Sequence, residues 1–373
     1  MKLDNRHISS VIISGGGTGG HIFPAIAIAN EIKTRNPEAK ILFIGAIGKM
    51  EMTRVPDAGF DIVGLPIMGF QRKLTLSNFK LPFMLLISLL RARTLIKKFK
   101  PEIVIGVGGY ASGPTLKMAT WLRVPSVVQE QNSFPGKTNI LLSKKVDLIC
   151  TAYEGLENFF PKEKIKLTGN PVRKNLSNDM LSKKEALKIF ELAENKKTIL
   201  ILGGSLGAKT LNDAMLEMIQ KGVDNEVQYI WQCGKYYFEQ LKSKVSEKEN
   251  PSIKLLAFIS RMDAAYASAD VIVSRAGALS VSELCLVGKP VILVPSPNVS
   301  EDHQTKNAMS LVNADAALMV RDLDCANGLI NNVNSLLADA DLSGRLSRNI
   351  LVWQDLMRPL ISLTNQRIYY YNE

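Results

Sequence analysis

Paired cysteines, long apolar runs and histidine are all scarce in this 373-residue chain, and each shortage closes off a class of function. The four cysteines, Cys150, Cys233, Cys285 and Cys325, lie far apart with no Cys-x-x-Cys pair. That pattern argues against a zinc site or a disulfide framework and fits a reducing compartment. No stretch reaches the ~18 apolar residues that a membrane-spanning helix needs. The apolar residues 11–13, ahead of the first glycines, are too few for the core of a signal peptide. Histidine occurs three times, at His7, His21 and His303. Acidic residues are missing altogether from 62–101.

What is present describes an ordinary folded protein, with 46% hydrophobic and 22% charged residues. Its length exceeds the ~250–300 residues at which a single core stops growing, so two domains are expected. The formal net charge is +11, and the acid-free stretch supplies eight cations: Arg72, Lys73, Lys80, Arg91, Arg93, Lys97, Lys98 and Lys100. Within it lies the apolar run Leu81-Pro-Phe-Met-Leu-Leu-Ile-Ser-Leu-Leu90. As a helix, ten residues span roughly 15 Å, about half a bilayer core, so the run can lie in a membrane surface but cannot cross it. Aromatic interleaving is thin and the centre is aliphatic, which argues against nucleic acid. A buried helix with solvated basic ends is the plainer alternative; the missing acids favour an anionic membrane.

Short apolar runs at 8–13, 41–44, 62–65, 103–105, 126–128 and 148–151 read as strands, and a second series follows at 198–202, 228–231, 254–257, 271–273, 291–294 and 317–320. They alternate with helical stretches and are mostly apolar throughout, as strands covered on both faces are. The pattern predicts an α/β protein with two doubly wound, Rossmann-like halves, 1–172 and 173–348. The turn-rich Gly169-Asn-Pro-Val-Arg173 marks the crossing. A last helix over about 349–373 is expected to return toward the first half.

Four Gly-rich or small-residue loops follow strands: Gly15-Gly-Gly-Thr-Gly-Gly20, Gly106-Val-Gly-Gly-Tyr-Ala-Ser-Gly113, Gly203-Gly-Ser-Leu-Gly-Ala208 and Ser274-Arg-Ala-Gly-Ala278. The first fits Gly-x-Gly-x-x-Gly, but 41–46 ends without the Asp or Glu that a dinucleotide's ribose requires. The third is not a P-loop, because Ala208 separates Gly207 from Lys209. Any one loop could be turn geometry. Four of them at strand C-termini, split between two halves, imply two phosphate-bearing ligands in a cleft between the domains. His21 opens the helix after the first loop and is the candidate general base. Glu283 reads either as a helix-surface residue or as a ribose-binding carboxylate. The pairs Asp322/Asp324 and Asp339/Asp341 precede helical segments, so helix capping explains them better than a metal does. No metal or other cofactor is expected.

These motifs, together with Glu130-Gln-Asn-Ser-Phe-Pro-Gly-Lys-Thr-Asn139, Ser274-Arg-Ala-Gly-Ala-Leu-Ser-Val-Ser-Glu283 and Asp302-His-Gln-Thr-Lys-Asn-Ala308, run collinearly from 15 to 308. The series resembles the MurG family of peptidoglycan glycosyltransferases. The resemblance implies the GT-B arrangement of two Rossmann-like domains about a cleft. It also implies inverting transfer of N-acetylglucosamine from UDP-GlcNAc to the C4 hydroxyl of undecaprenyl-diphosphate-MurNAc-pentapeptide (lipid I), giving lipid II. On this analogy the second domain holds the donor, with Ser205 near the diphosphate, Arg173 near the nucleotide, and the Ile259 backbone on uracil. Ala278, Leu279, Ser280, Val281 and Ser282 lie around phosphate and ribose, and Glu283 on the ribose hydroxyls. Thr18, Gly19, Gly20, Asn132 and Gln304 would touch sugar or phosphate. Gly17, Gly108, Gly109, Tyr110 and Gly113 would face the acceptor diphosphate. The analogy places the protein on the cytoplasmic face of the inner membrane, as a peripheral protein with cell-wall or division proteins as candidate partners. A helix presenting Leu76, Phe79, Phe83, Leu86 and Leu90 would dock it there. The alternatives are another UDP-sugar enzyme of this architecture, such as a 2-epimerase or a lipid glycosyltransferase, and a noncatalytic nucleotide-sugar sensor.

Overall fold

The computed structural model describes residues 8–68, 81–172, 176, 181–204, 206–222, 224–245, 250–299 and 302–357, without the side chains of 327 and 354–357. Arg173, Ser205, Leu76, Phe79, Arg72, Lys73, Lys80 and His7 lie outside them. The described residues form two compact units, the first ending at Val172 and the second at Met357.

The first unit runs β1 (Ser10–Ser14), α1 (Gly19–Arg35), β2 (Lys40–Ala46), α2 (Glu51–Asp57), β3 (Asp61–Leu65), α3 (Leu81–Phe99), β4 (Ile103–Gly106), α4 (Ser112–Trp121), β5 (Ser126–Glu130), α5 (Lys137–Ser143), β6 (Leu148–Thr151) and β7 (Ile165–Leu167). Its strands form one sheet in the order β3-β2-β1-β4-β5-β6-β7, each described pair parallel. Successive β1 side chains alternate between faces: Val11 and Ile13 pack with Ile22 and Ile28 of α1, and Ile12 packs with Ile96 of α3 and Leu116 of α4. Burial on both faces is why the strand is apolar throughout. Each such side chain stabilises the fold by about 1.5–3 kcal/mol relative to exposure.

The second unit contains α6 (Lys183–Ile189), β8 (Lys197–Leu202), α7 (Lys209–Lys221), β9 (Val227–Gln232), α8 (Lys235–Lys242), β10 (Ile253–Leu256), α9 (Met262–Ser268), β11 (Val271–Ser274), α10 (Ala278–Val287), β12 (Val291–Leu293), α11 (His303–Val312), β13 (Leu318–Met319), α12 (Cys325–Ala338) and α13 (Ala340–Met357). Its sheet repeats the plan, in the order β10-β9-β8-β11-β12-β13. In each unit the strand order reverses at one place, between β1 and β4 and between β8 and β11. The loops that leave those four strands diverge to opposite faces and open a crevice there.

Two expectations are corrected. A strand absent from the expected series, β7, lies at the sheet edge with three residues that are at most partly covered. The last helix starts at Ala340 rather than 349, because Asp339 caps it by accepting the Leu342 N–H at 2.8 Å, and it packs on α10 of the second unit. Residues 358–373, where the return to the first half was expected, lie outside the described set.

The helix α3 buries only Ser88, Ala92 and Ile96. Phe83, Leu86 and Leu90 are exposed, Phe83 by 68%, so the buried-helix alternative does not hold for the N-terminal half. Trp121, at the end of neighbouring α4, is 70% exposed. No described helix is long and apolar enough to cross a membrane.

Candidate active site

The first loop is held by three neighbours. The Gly15 N–H donates to the Ile44 carbonyl at 3.3 Å and the Gly16 N–H to the Gly108 carbonyl at 3.3 Å, joining the loops after β1 and β4 across the switch point. The third neighbour is Glu51, the first residue of α2 and only 1% exposed. One carboxylate oxygen accepts the Gly17 N–H at 2.8 Å and the other accepts the Ala46 N–H at 2.9 Å. Gly16 has φ +149°, and a β-carbon there would stand 2.2 Å from the Glu51 carboxyl carbon. Only glycine lets the backbone come that close.

The helix α1 then begins. Thr18 precedes it in extended conformation, its carbonyl accepting the His21 and Ile22 N–H groups at 3.1 and 3.2 Å. The N–H groups of Gly19 and Gly20 belong to the first turn, where a helix has no carbonyl partners of its own. No acidic residue of that turn offsets the positive end of the dipole. Pro24 lies inside the helix and has no N–H to give the Gly20 carbonyl. His21 is half-buried, and its Nδ1 lies 3.1 Å from the Gly16 carbonyl oxygen. That oxygen can only accept, so Nδ1 donates and Nε2 is the basic nitrogen of the neutral ring. The ring lies against Gly108, where a β-carbon would be 2.8 Å from Nε2.

The rest of this unit's candidates gather nearby in sequence order. Tyr110 is 48% exposed on the loop between β4 and α4, the Ser112 hydroxyl donates to the Gly109 carbonyl at 2.8 Å, and Gly113 lies in the first turn of α4. Past β5, Glu130 collects four donors: the Asn132 N–H and side-chain amide at 3.0 and 3.2 Å, the Gly136 N–H at 3.1 Å and the Asn139 amide at 2.8 Å. Asn132 is thereby fixed in place.

In the second unit, Gln232 at the end of β9 bonds Gly204 both ways, accepting its N–H at 3.1 Å and donating to its carbonyl at 2.7 Å. This pins the backbone at Gly204. The residues 278–283 form the start of α10, capped by Gly277 in extended conformation. Ser282 is buried, and its hydroxyl donates to the Ala278 carbonyl at 3.0 Å. Glu283 accepts the Tyr266 hydroxyl at 2.9 Å. Ile259 is buried beyond β10, and the Gln304 side-chain oxygen accepts the Ser296 N–H at 2.9 Å. Asp322 does not act as a cap: with the Thr210 hydroxyl it holds the half-buried Arg275, which also reaches the Val294 and Pro295 carbonyls at 3.0 and 3.2 Å.

Sequence reasoning passed over Glu51, Gln232, Tyr266 and Arg275. The end of β2 has no acid to take a ribose; the acid is at 51, five residues beyond the strand, and serves the loop backbone. The cysteines stay out of the chemistry: burial pushes the thiols of Cys150 and Cys285 up to about 12 and those of Cys233 and Cys325 to about 11.

Comparison with known proteins places this geometry. Residues 11–151 match the glycosyltransferase family 28 N-terminal domain and 198–349 the family 28 C-terminal domain. The chain is 54% identical over 341 residues to the UDP-N-acetylglucosamine--N-acetylmuramyl-(pentapeptide) pyrophosphoryl-undecaprenol N-acetylglucosamine transferase of Phocaeicola vulgatus, covering 91% of each chain. It is 56% identical over 339 residues to the protein of the same name from Flavobacterium psychrophilum, covering 91% of this chain and 92% of that one. Among solved structures it resembles MurG of Acinetobacter baumannii, with TM-score 0.74 and 28% identity over 96% of this chain and 98% of that one. A UDP-N-acetylglucosamine 2-epimerase shares the fold, with TM-score 0.61 at 16% identity over 97% of each chain. With both halves matched and a GT-B pair of Rossmann-like domains, the chain belongs to glycosyltransferase family 28.

Proposed function

We propose that the protein transfers N-acetylglucosamine from UDP-GlcNAc to the undecaprenyl-diphosphate-linked MurNAc-pentapeptide, lipid I, with inversion, giving lipid II for peptidoglycan. The observation that carries this reading is the identity above half with transferases of that name, extending across both units. The acceptor's sugar hydroxyl is a weak nucleophile at neutral pH, and His21 Nε2 takes its proton as it attacks the anomeric carbon. Attack from the face opposite UDP inverts that carbon. Charge then builds on the departing diphosphate, which Arg173, Ser205 and the N-terminal turn of α10 stabilise. Glu283 takes the ribose hydroxyls, the Ile259 backbone the uracil, and Gln304 with Asn132 the sugar. In the first unit, the glycines 108, 109 and 113 and Tyr110 receive the acceptor diphosphate. Gly17 is a poorer candidate for it, since its N–H already serves Glu51.

Incubating the purified protein with labelled UDP-GlcNAc and a lipid I analogue tests the reading. Labelled disaccharide lipid is the expected product; its absence, with UDP-GlcNAc hydrolysed, epimerised or only bound, overturns it.

The acceptor's lipid puts the work at a membrane face, and α3 suits that surface. Its exposed Phe83, Leu86 and Leu90 precede Arg91, Arg93, Lys97 and Lys98 on the same helix. Near an anionic leaflet each cation contributes up to about 1 kcal/mol. Replacing those four with alanine is expected to weaken co-sedimentation with phosphatidylglycerol vesicles at least tenfold, with no change toward neutral vesicles. Unchanged binding returns the helix to a role in folding alone.

A further inference from the structure

The bonds to Glu51 and to His21 meet on one chemical group. The N–H of Gly17 and the C=O of Gly16 are the two ends of a single peptide unit: its N–H donates to the Glu51 carboxylate at 2.8 Å, and its carbonyl accepts from His21 Nδ1 at 3.1 Å. A hydrogen bond at the N–H end polarises the peptide and makes its oxygen a better acceptor, because such bonds strengthen one another in series. A charged acceptor does this more strongly than a neutral one.

We infer that Glu51 is a positioning residue for the base: through the Gly16–Gly17 peptide it holds His21 in the Nδ1–H tautomer with Nε2 basic. The inference deepens the reading of His21 as base and rests on it. Three features of the chain fit this role beside that of anchoring the loop. Glu51 is buried with both oxygens accepting backbone N–H groups, one from the glycine loop and one from the end of β2, so the loop is fixed to the sheet. Glycine at 16 admits the carboxylate, and glycine at 108 admits the imidazole. The site that phosphate would occupy on a nucleotide-binding glycine loop is therefore taken, at Gly17, by the protein's own anion. The arrangement does through a peptide what a catalytic aspartate does by touching histidine directly, orienting the ring and fixing its tautomer.

The tautomer is read by ¹⁵N NMR of histidine-labelled protein, the His21 signals being identified by their loss in His21→Ala. The expected wild-type result is protonated Nδ1. Glu51→Gln keeps the volume but turns an NH₂ group toward one of the two N–H donors. It is expected to move His21 toward the Nε2–H form and to lower kcat about ten- to hundredfold, the scale of losing an orienting partner, with KM for UDP-GlcNAc nearly unchanged. A wild-type ring protonated at Nε2 overturns the inference, and needs no variant to fold. So does a folded Glu51→Gln protein whose tautomer is unaltered, whatever its rate. Normal turnover in His21→Ala instead overturns the base reading and with it the catalytic use of the Glu51 contact, so the two failures are told apart.

Discussion

Replacing His21 with alanine is expected to lower turnover by about 10²- to 10⁴-fold, the usual contribution of a positioned general base, while UDP-GlcNAc binding stays near that of the unaltered protein. The split follows from where the imidazole sits. It belongs to the first unit, bonded to the Gly16 carbonyl and lying against Gly108, whereas the residues assigned to the nucleotide belong to the second. Removing the ring takes away no proposed donor contact. The fold has little to lose: His21 is half-buried in the first turn of α1, and alanine is the better helix former. Steady-state kcat with a lipid I analogue, set beside the Kd for UDP-GlcNAc from calorimetry, checks both halves. Turnover near the unaltered rate moves the base elsewhere; a loss of donor affinity equal to the loss of rate makes His21 a binding residue.

How far the site could be read in the sequence depends on where its parts draw their identity. The strands were legible because covering both faces of a sheet forces runs such as 11–13 and 271–273 to be apolar. β7 escaped because an edge strand of three half-covered residues carries no such pressure. The glycine loops were legible because close backbone approach admits no side chain at Gly16 or Gly108. Glu51 was not, since its partners are backbone N–H groups of Gly17 and Ala46, which exist at nearly every position and leave no mark in the sequence. The same holds for Gln232 on Gly204. Side chains that grip backbone become visible only when the fold brings their partners to them. The Asp322 reading failed for a related reason: a carboxylate ahead of a helix suggests a cap, but Arg275, 47 residues away in sequence, claims it.

Glu130→Ala is expected to destabilise the first unit by about 2–4 kcal/mol, because it removes a buried carboxylate and strands the buried Asn139 amide together with three partly buried donors. The carboxylate is 1% exposed and serves four N–H groups, from Asn132, Gly136 and Asn139. Each unmade bond to a charged acceptor costs about 1.5–3 kcal/mol, less whatever water entering the vacated space restores. The total is a large share of the ~5–15 kcal/mol that keeps a protein folded. Glu130→Gln keeps one acceptor oxygen and places an amide NH₂ against the other pair of donors, so its loss should fall between alanine and the unaltered chain. Urea unfolding measures both, and a Glu130→Ala loss under about 1 kcal/mol means that rearrangement or solvent satisfies the donors. Amide hydrogen exchange adds where the effect lies. If protection falls over 131–139 while the amides of β4 and β5 keep theirs, the carboxylate orders the loop that presents Asn132. Turnover should then fall at temperatures where the sheet is still intact.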